Sequence, residues 1–184
     1  MRVTLPNYKE HYFPNPDLTQ VEGPPSFMDI HRLRKEILEN LASYPSERGG
    51  GEFGHMGVGL SAEAYREICN TPWTPPAKPT AVIVPTGASD EDSRSLKETY
   101  KEDLQEYNDY IGIIRTVKNQ LKQALDHKIL LPLCNTTTGA LEGTIPELFQ
   151  YLFASYGNIT AVSLSAKLKP TSTFIATQLR TCFK

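Results

Sequence analysis

The sequence has few of the residues that mark disulfide-rich or zinc-binding proteins. Its 184 residues include only three cysteines, Cys69, Cys134 and Cys182, which are widely spaced and form no C-x-x-C pair. An odd, scattered set of this kind fits neither a disulfide framework nor a zinc site. We therefore expect reduced thiols in an intracellular protein.

Long apolar runs and a strong charge of either sign are also missing. The longest apolar stretch, residues 129–133, contains Pro132, and no stretch approaches the roughly 20 apolar residues of a membrane-spanning helix. Residues 1–10 lack the apolar run of a signal peptide. The net charge of −2 gives no overall attraction to nucleic acid or to anionic membranes. These absences predict a cytoplasmic chain with no membrane partner.

Catalytic signatures are absent as well. The sequence contains no P-loop, no G-x-S-x-G and no D-[ST]-G motif. The glycine triplet at 49–51 has no following lysine, which favours a turn over a phosphate cradle, and the acidic run at 90–92 favours helix capping over paired-carboxylate catalysis. The four histidines are far apart: His11, His31, His55 and His127. We expect no catalytic, cofactor-binding or metal-binding residues, no small-molecule substrate and no enzyme activity.

Four amphipathic segments are present, and they predict an all-α fold. They cover residues 27–44, 61–69, 89–127 and 145–156, and each begins at or directly after a residue suited to an N-cap. Gly112 within the third segment predicts either a break or a close crossing, and Gly157 predicts a C′ glycine that ends the fourth. The segments should share one core, in which we expect the following residues to be buried: Leu148, Phe149, Leu152 and Phe153.

Prolines and glycines dominate the rest of the chain. Five prolines in residues 1–25 predict an extended N-terminal arm, whose apolar side chains either dock on the core or are loosely held: Tyr8, Tyr12, Phe13 and Leu18. Six glycines in residues 46–59 predict a loop, and five prolines in residues 72–85 predict an extended connection. Residues 81–84 are a candidate β-like segment with no obvious partner. Trp73 is more simply a docked linker residue than an exposed recognition aromatic.

A series of motifs runs through most of the chain in a fixed order. The more specific ones are G-G-G-x-x-G-H-x-G at residues 49–57 and Y-G-x-I-T at residues 156–160. The series also includes residues 13–27, Tyr65, and residues 71–75, 82–87, 120–133 and 144–157. Over residues 13–164 the chain resembles Gag-like proteins of copia-type retrotransposons.

The resemblance implies a capsid-like helical domain that self-associates into virus-like particles enclosing the element's RNA. It carries over no active-site residues. We expect an extended arm at 1–25, the helical Gag domain at 26–164 and a divergent tail at 165–184. The tail departs from the family pattern, which predicts a truncated chain. It holds four basic residues and no acidic one, so it could contact RNA phosphates or be only solvated.

Two alternatives to a particle-forming protein remain. A domesticated Gag-derived module would use its amphipathic helices and proline-rich connection to bind a host protein partner instead of a second copy. An enzyme with an unrecognised site would need a deep pocket with clustered, perturbed titratable groups.

Overall fold

Helices form almost all the regular secondary structure in the computed structural model, which describes residues 8–157 apart from the side chains of Lys9 and His11. The all-α prediction is confirmed for this part of the chain. The six α-helices are α1 (Tyr8–His11), α2 (Phe27–Ser43), α3 (Ala62–Ile68), α4 (Asp90–Ala124), α5 (His127–Leu130) and α6 (Ile145–Tyr156). Within residues 8–157, the β-type pairing is one isolated bridge between Cys134 and Leu141.

Helix starts follow the predicted N-caps closely. Ser26 and Thr144 each form a capping box with an acidic residue three positions later, at the starts of α2 and α6. Ser61 and Ser89 accept backbone hydrogen bonds at the starts of α3 and α4. Each capping side chain accepts a hydrogen bond from a backbone amide that has no partner inside the helix. Because this interaction spans only three residues, the helix starts could be predicted from the local sequence.

Helix ends were predicted less accurately. The third segment does not reach residue 127, because α4 ends at Ala124 and Leu125 adopts an extended conformation with φ −117° and ψ 149°. Asp126 then caps the separate short helix α5. Gly157 ends α6, as predicted, but it is the C-cap residue with φ −75° and not a C′ glycine. Residues 158–184, including the predicted tail at 165–184, lie outside the described residues.

One hydrophobic core joins the N-terminal segment to α2, α4, α5 and α6. The fully buried apolar side chains of the two long helices include Ile30, Leu33, Ile37, Leu41, Ile113, Val117 and Leu121. Helix α6 contributes Leu148, Phe149 and Leu152, as predicted. Phe153 is only half-buried, which corrects the fourth core assignment. It lies at the rim of the core, beside the rings of Phe27 and His31.

The predicted arm is not extended throughout, because α1 forms at Tyr8–His11, and it is docked, with Tyr8, Phe13 and Leu18 buried in the same core. Tyr12 is 44% exposed, so it is not part of this anchor. The Tyr8 ring lies against Gly112, where a Cβ would come 2.8 Å from the ring. Of the two interpretations of Gly112, the close crossing is therefore confirmed, and α4 continues through it without a break.

A buried amide network also fastens this segment. The Asn40 side chain, fully buried on α2, accepts a hydrogen bond from the Asn15 amide at 2.8 Å and donates to Gln120 of α4 at 3.2 Å. Gln120 donates in turn to the backbone oxygens of Asn15 and Pro16, at 2.9 and 2.8 Å. Because buried amides are costly when unpaired, this network fixes where the segment crosses α2 and α4.

Candidate functional surface

The glycine–histidine block at residues 49–57 folds back on the C-terminal end of α2. The backbone amide of His55 donates to Leu41 O at 2.9 Å, and the His55 ring lies 3.1 Å from Tyr44 O through Nδ1. A Cβ on Gly54 would collide with the backbone oxygens of Ala42 and Tyr44. The loop therefore satisfies carbonyl groups that the end of a helix leaves without partners, and it can approach so closely only where glycine stands.

The same block packs against the aromatic side chains of Tyr65 and Trp73, which follow it in the sequence. Tyr65 OH donates to Gly49 O at 2.9 Å, and Gly49 has a left-handed φ of +62°. A Cβ on Gly57 would overlap the Trp73 indole. Trp73 is thus a docked linker residue, as predicted, although its Nε1 is buried with no hydrogen-bond partner among the described residues.

An apolar groove opens beside these aromatics. It has a volume of about 680 Å³ and lies between the start of α3, the middle of α4 and the first turn of α6. Its walls include Tyr65, Trp73, Tyr110, Ile114, Ile145 and Pro146. The sequence did not predict this groove, because its walls come from segments that are far apart along the chain.

The charged groups of the apolar groove are engaged in structural bonds. Lys118 donates to Leu141 O at 2.9 Å and to Gly143 O at 2.6 Å, and burial lowers the pKa of its ammonium. The Glu147 carboxylate accepts from the Thr144 amide at 2.7 Å, and this bond lowers the carboxyl pKa. The hydrogen bonds of both side chains therefore hold the loop that precedes α6.

A second, acidic cleft of about 400 Å³ lies between the end of α2 and α4. Tyr8 OH donates to the Asp109 carboxylate at 2.9 Å, and burial is the main cause that raises the pKa of the Tyr8 phenol. Arg48 binds Glu106 through two guanidinium nitrogens, one of them at 2.8 Å, and this contact lowers the Glu106 pKa. His55 lines the cleft, and burial lowers its pKa.

The other residues considered from sequence do not converge on one site. His31 packs against Phe27 and Phe153, and His127 begins α5. Cys69 and Cys134 are free thiols, and Cys69 donates to Gly49 O at 3.0 Å. Residues 8–157 contain no group of three or more potential metal-ligating side chains. No helix in this range is long and apolar enough to cross a bilayer.

Comparisons of the chain with protein-family models, with curated proteins and with solved structures gave no match.

Proposed function

We propose that this chain is a structural, Gag-like protein of a copia-type retrotransposon, with a capsid-like helical domain that self-associates into cytoplasmic virus-like particles around element RNA. The observation that supports this proposal is the packing role of residues in the G-G-G-x-x-G-H-x-G motif. Gly49, Gly54, His55 and Gly57 all serve to pack the loop on α2, Tyr65 and Trp73. A motif in which these four residues serve packing suits a building block of a shell.

A non-enzymatic role is part of the proposal. Three titratable groups that line the two cavities already hold the fold together: Lys118 binds loop carbonyls, Glu106 binds Arg48, and Asp109 accepts from Tyr8. Committed groups of this kind are poorly placed to act as a nucleophile and its base, which must approach a substrate.

The RNA part of the proposal rests on the sequence of the tail. Lys167, Lys169, Arg180 and Lys184 give residues 165–184 a charge of +4 without any acidic residue. Basic side chains that neutralise phosphates release counterions, so the resulting affinity for RNA should fall steeply with salt.

The alternative is a Gag-derived module that binds a host protein partner. The apolar groove beside Trp73 favours it, since a concave surface lined by aromatic residues is well suited to a peptide or a helix. In that case the purified chain should be a monomer that carries no RNA.

The experiment is size-exclusion chromatography with light scattering on the purified 184-residue chain, followed by electron microscopy and an absorbance ratio for bound RNA. We expect species larger than a monomer that grow with protein concentration and contain nucleic acid. A chain that stays strictly monomeric at high concentration, without RNA, contradicts the proposal.

A matched pair of variants tests the RNA contribution. Replacing the four basic tail residues by glutamine should reduce the RNA that copurifies with the protein. Replacing four exposed lysines of the helical domain by glutamine, Lys35, Lys97, Lys101 and Lys128, should not. Equal RNA in both variants would contradict a role for the tail.

A further inference from the structure

An uncharged, apolar segment lies unpaired on the N-terminal half of α4. Residues 79–85 contain no charged residue, and residues 79–83 line a shallow groove together with Leu96 and Tyr100. Val82 is half-buried there, whereas Ile83 is 87% exposed and Leu96 is 42% exposed. Within the described chain, no backbone–backbone hydrogen bond involves residues 79–84.

The composition of this segment favours a β-strand. Val82, Ile83 and Val84 are β-branched residues with a high preference for strands. Pro79 and Pro85 bias the residues before them toward an extended backbone, and both lack the amide needed to continue a ladder. The result is a five-residue edge at 80–84 with free backbone groups, and such edges pair readily with another strand.

We propose that residues 80–84 pair with the same residues of a second copy of this chain, as a short antiparallel ribbon around a two-fold axis at Val82. In that register Ala81 lies opposite Ile83 of the second copy, and Pro79 lies opposite Pro85. The prolines then close the ladder at both ends, and the exposed Ile83 side chain gains an apolar neighbour. One surface serves both copies, as a two-fold interface requires.

The charges that flank the segment support a second copy of the chain as the partner, and they favour antiparallel over parallel pairing. Exposed Lys78 comes immediately before the segment, and the exposed acidic first turn of α4, Asp90 to Asp92, follows it. Antiparallel pairing brings Lys78 of each copy opposite Thr86 of the other, close to the other copy's acidic turn. Parallel pairing would instead place lysine beside lysine and acid beside acid, which is repulsive.

The area involved indicates a weak contact. Five residues a side, with Ile83 and Leu96 as the main apolar groups, cover a few hundred Å², well below the roughly 800 Å² per partner of a stable interface. Such a contact would not hold a dimer in dilute solution but would add to others within a shell. The inference therefore rests on the proposed assembly function and identifies one of its contact surfaces.

Sedimentation of the full chain over a wide concentration range tests the contact. Ile83→Glu should weaken self-association about tenfold, because it buries a charge in the ribbon. The matched control is Met28→Glu on α2, another exposed apolar residue, at 56%, and it should leave self-association unchanged. Circular dichroism should show the same helix content and the same melting temperature for Ile83→Glu and the wild type, because Ile83 is not in the core.

A charge exchange tests the direction of pairing. Lys78→Glu should weaken association severalfold, because it replaces attraction to the acidic turn by repulsion, and added salt should then relieve part of the loss. Glu91→Lys in the same chain should recover part of the association, because it reduces the charge of the acidic turn. Failure of the double variant to recover overturns the antiparallel ribbon. Unchanged association of Ile83→Glu and Lys78→Glu overturns the interface but leaves the assembly proposal standing. A wild-type chain that is monomeric at every concentration overturns both.

Discussion

At the scale of single residues, the contact between Gly57 and Trp73 shows why a glycine occupies that position. Gly57 does not need a left-handed backbone, but a Cβ there would overlap the indole. Gly57→Ala should therefore lower the free energy of unfolding by about 1–3 kcal/mol through overpacking, measured by urea denaturation.

The control for Gly57→Ala is the same substitution in a Trp73→Ala background. There the added methyl group meets a cavity, so its cost should fall close to zero. An equal cost in both backgrounds would mean that the indole is not what excludes the side chain.

His55 makes stability depend on pH. Burial lowers its pKa, the hydrogen bond to Tyr44 O and the nearby Asp109 and Glu106 carboxylates partly oppose that shift, and Arg48 adds to it. The unfolded chain therefore binds a proton at a higher pH than the native chain does, so the stability that neutral His55 contributes is complete above about pH 6.5 and is lost as pH falls below it.

His55→Asn keeps an amide donor near the position of Nδ1 but does not titrate. Between pH 7.5 and 5, the urea midpoint of the wild type should fall further than that of this variant. Parallel curves for the two proteins over that range would contradict the role given to the imidazole.

At the scale of elements, helix α6 shows that the apolar stripe predicted from the sequence is wider than the face that the fold buries. The periodicity placed Leu152 and Phe153 side by side in the core, but the helix turns Phe153 to the rim beside His31. Leu152 is fully buried.

The two residues should therefore differ in what their truncation costs. Leu152→Ala should cost about 2–5 kcal/mol, as for a fully buried leucine. Phe153→Ala should cost less, about 1–2 kcal/mol, because solvent already reaches part of the ring. Thermal or chemical unfolding gives both values, and the reverse order would show that the rim assignment is incorrect.

At the scale of the whole molecule, α4 is divided between core and periphery. Its 35 residues span about 52 Å, yet its buried residues all lie between Gly112 and Ala124. The first half is highly charged, and its neighbours include residues 79–83 and Arg48, which binds Glu106.

This division predicts unequal hydrogen exchange along one continuous helix. Amides of residues 94–107 should exchange through local opening, faster than those of residues 113–124, which should open only with the whole fold. Amides in the middle of α2 serve as the slow reference within the same sample. Uniform protection along α4 would contradict this division of the helix.

The amino-acid sequence by itself determined the helical class, the four main helices and nearly all of their starts. Those features depend on hydrophobic periodicity and on caps, and both act over three or four residues. The sequence did not predict the helix end at Ala124 or the rim position of Phe153, because both depend on neighbours that are distant in sequence.

Three features were decided only by the tertiary structure. Tyr8 fills the space at Gly112, and the side chains of Asn40 and Gln120 hydrogen-bond the N-terminal segment. An apolar groove opens beside Trp73. Each of these joins residues tens of positions apart. Local pattern cannot specify such pairs, since their energy comes from burial and from hydrogen bonds that exist only once the chain has closed.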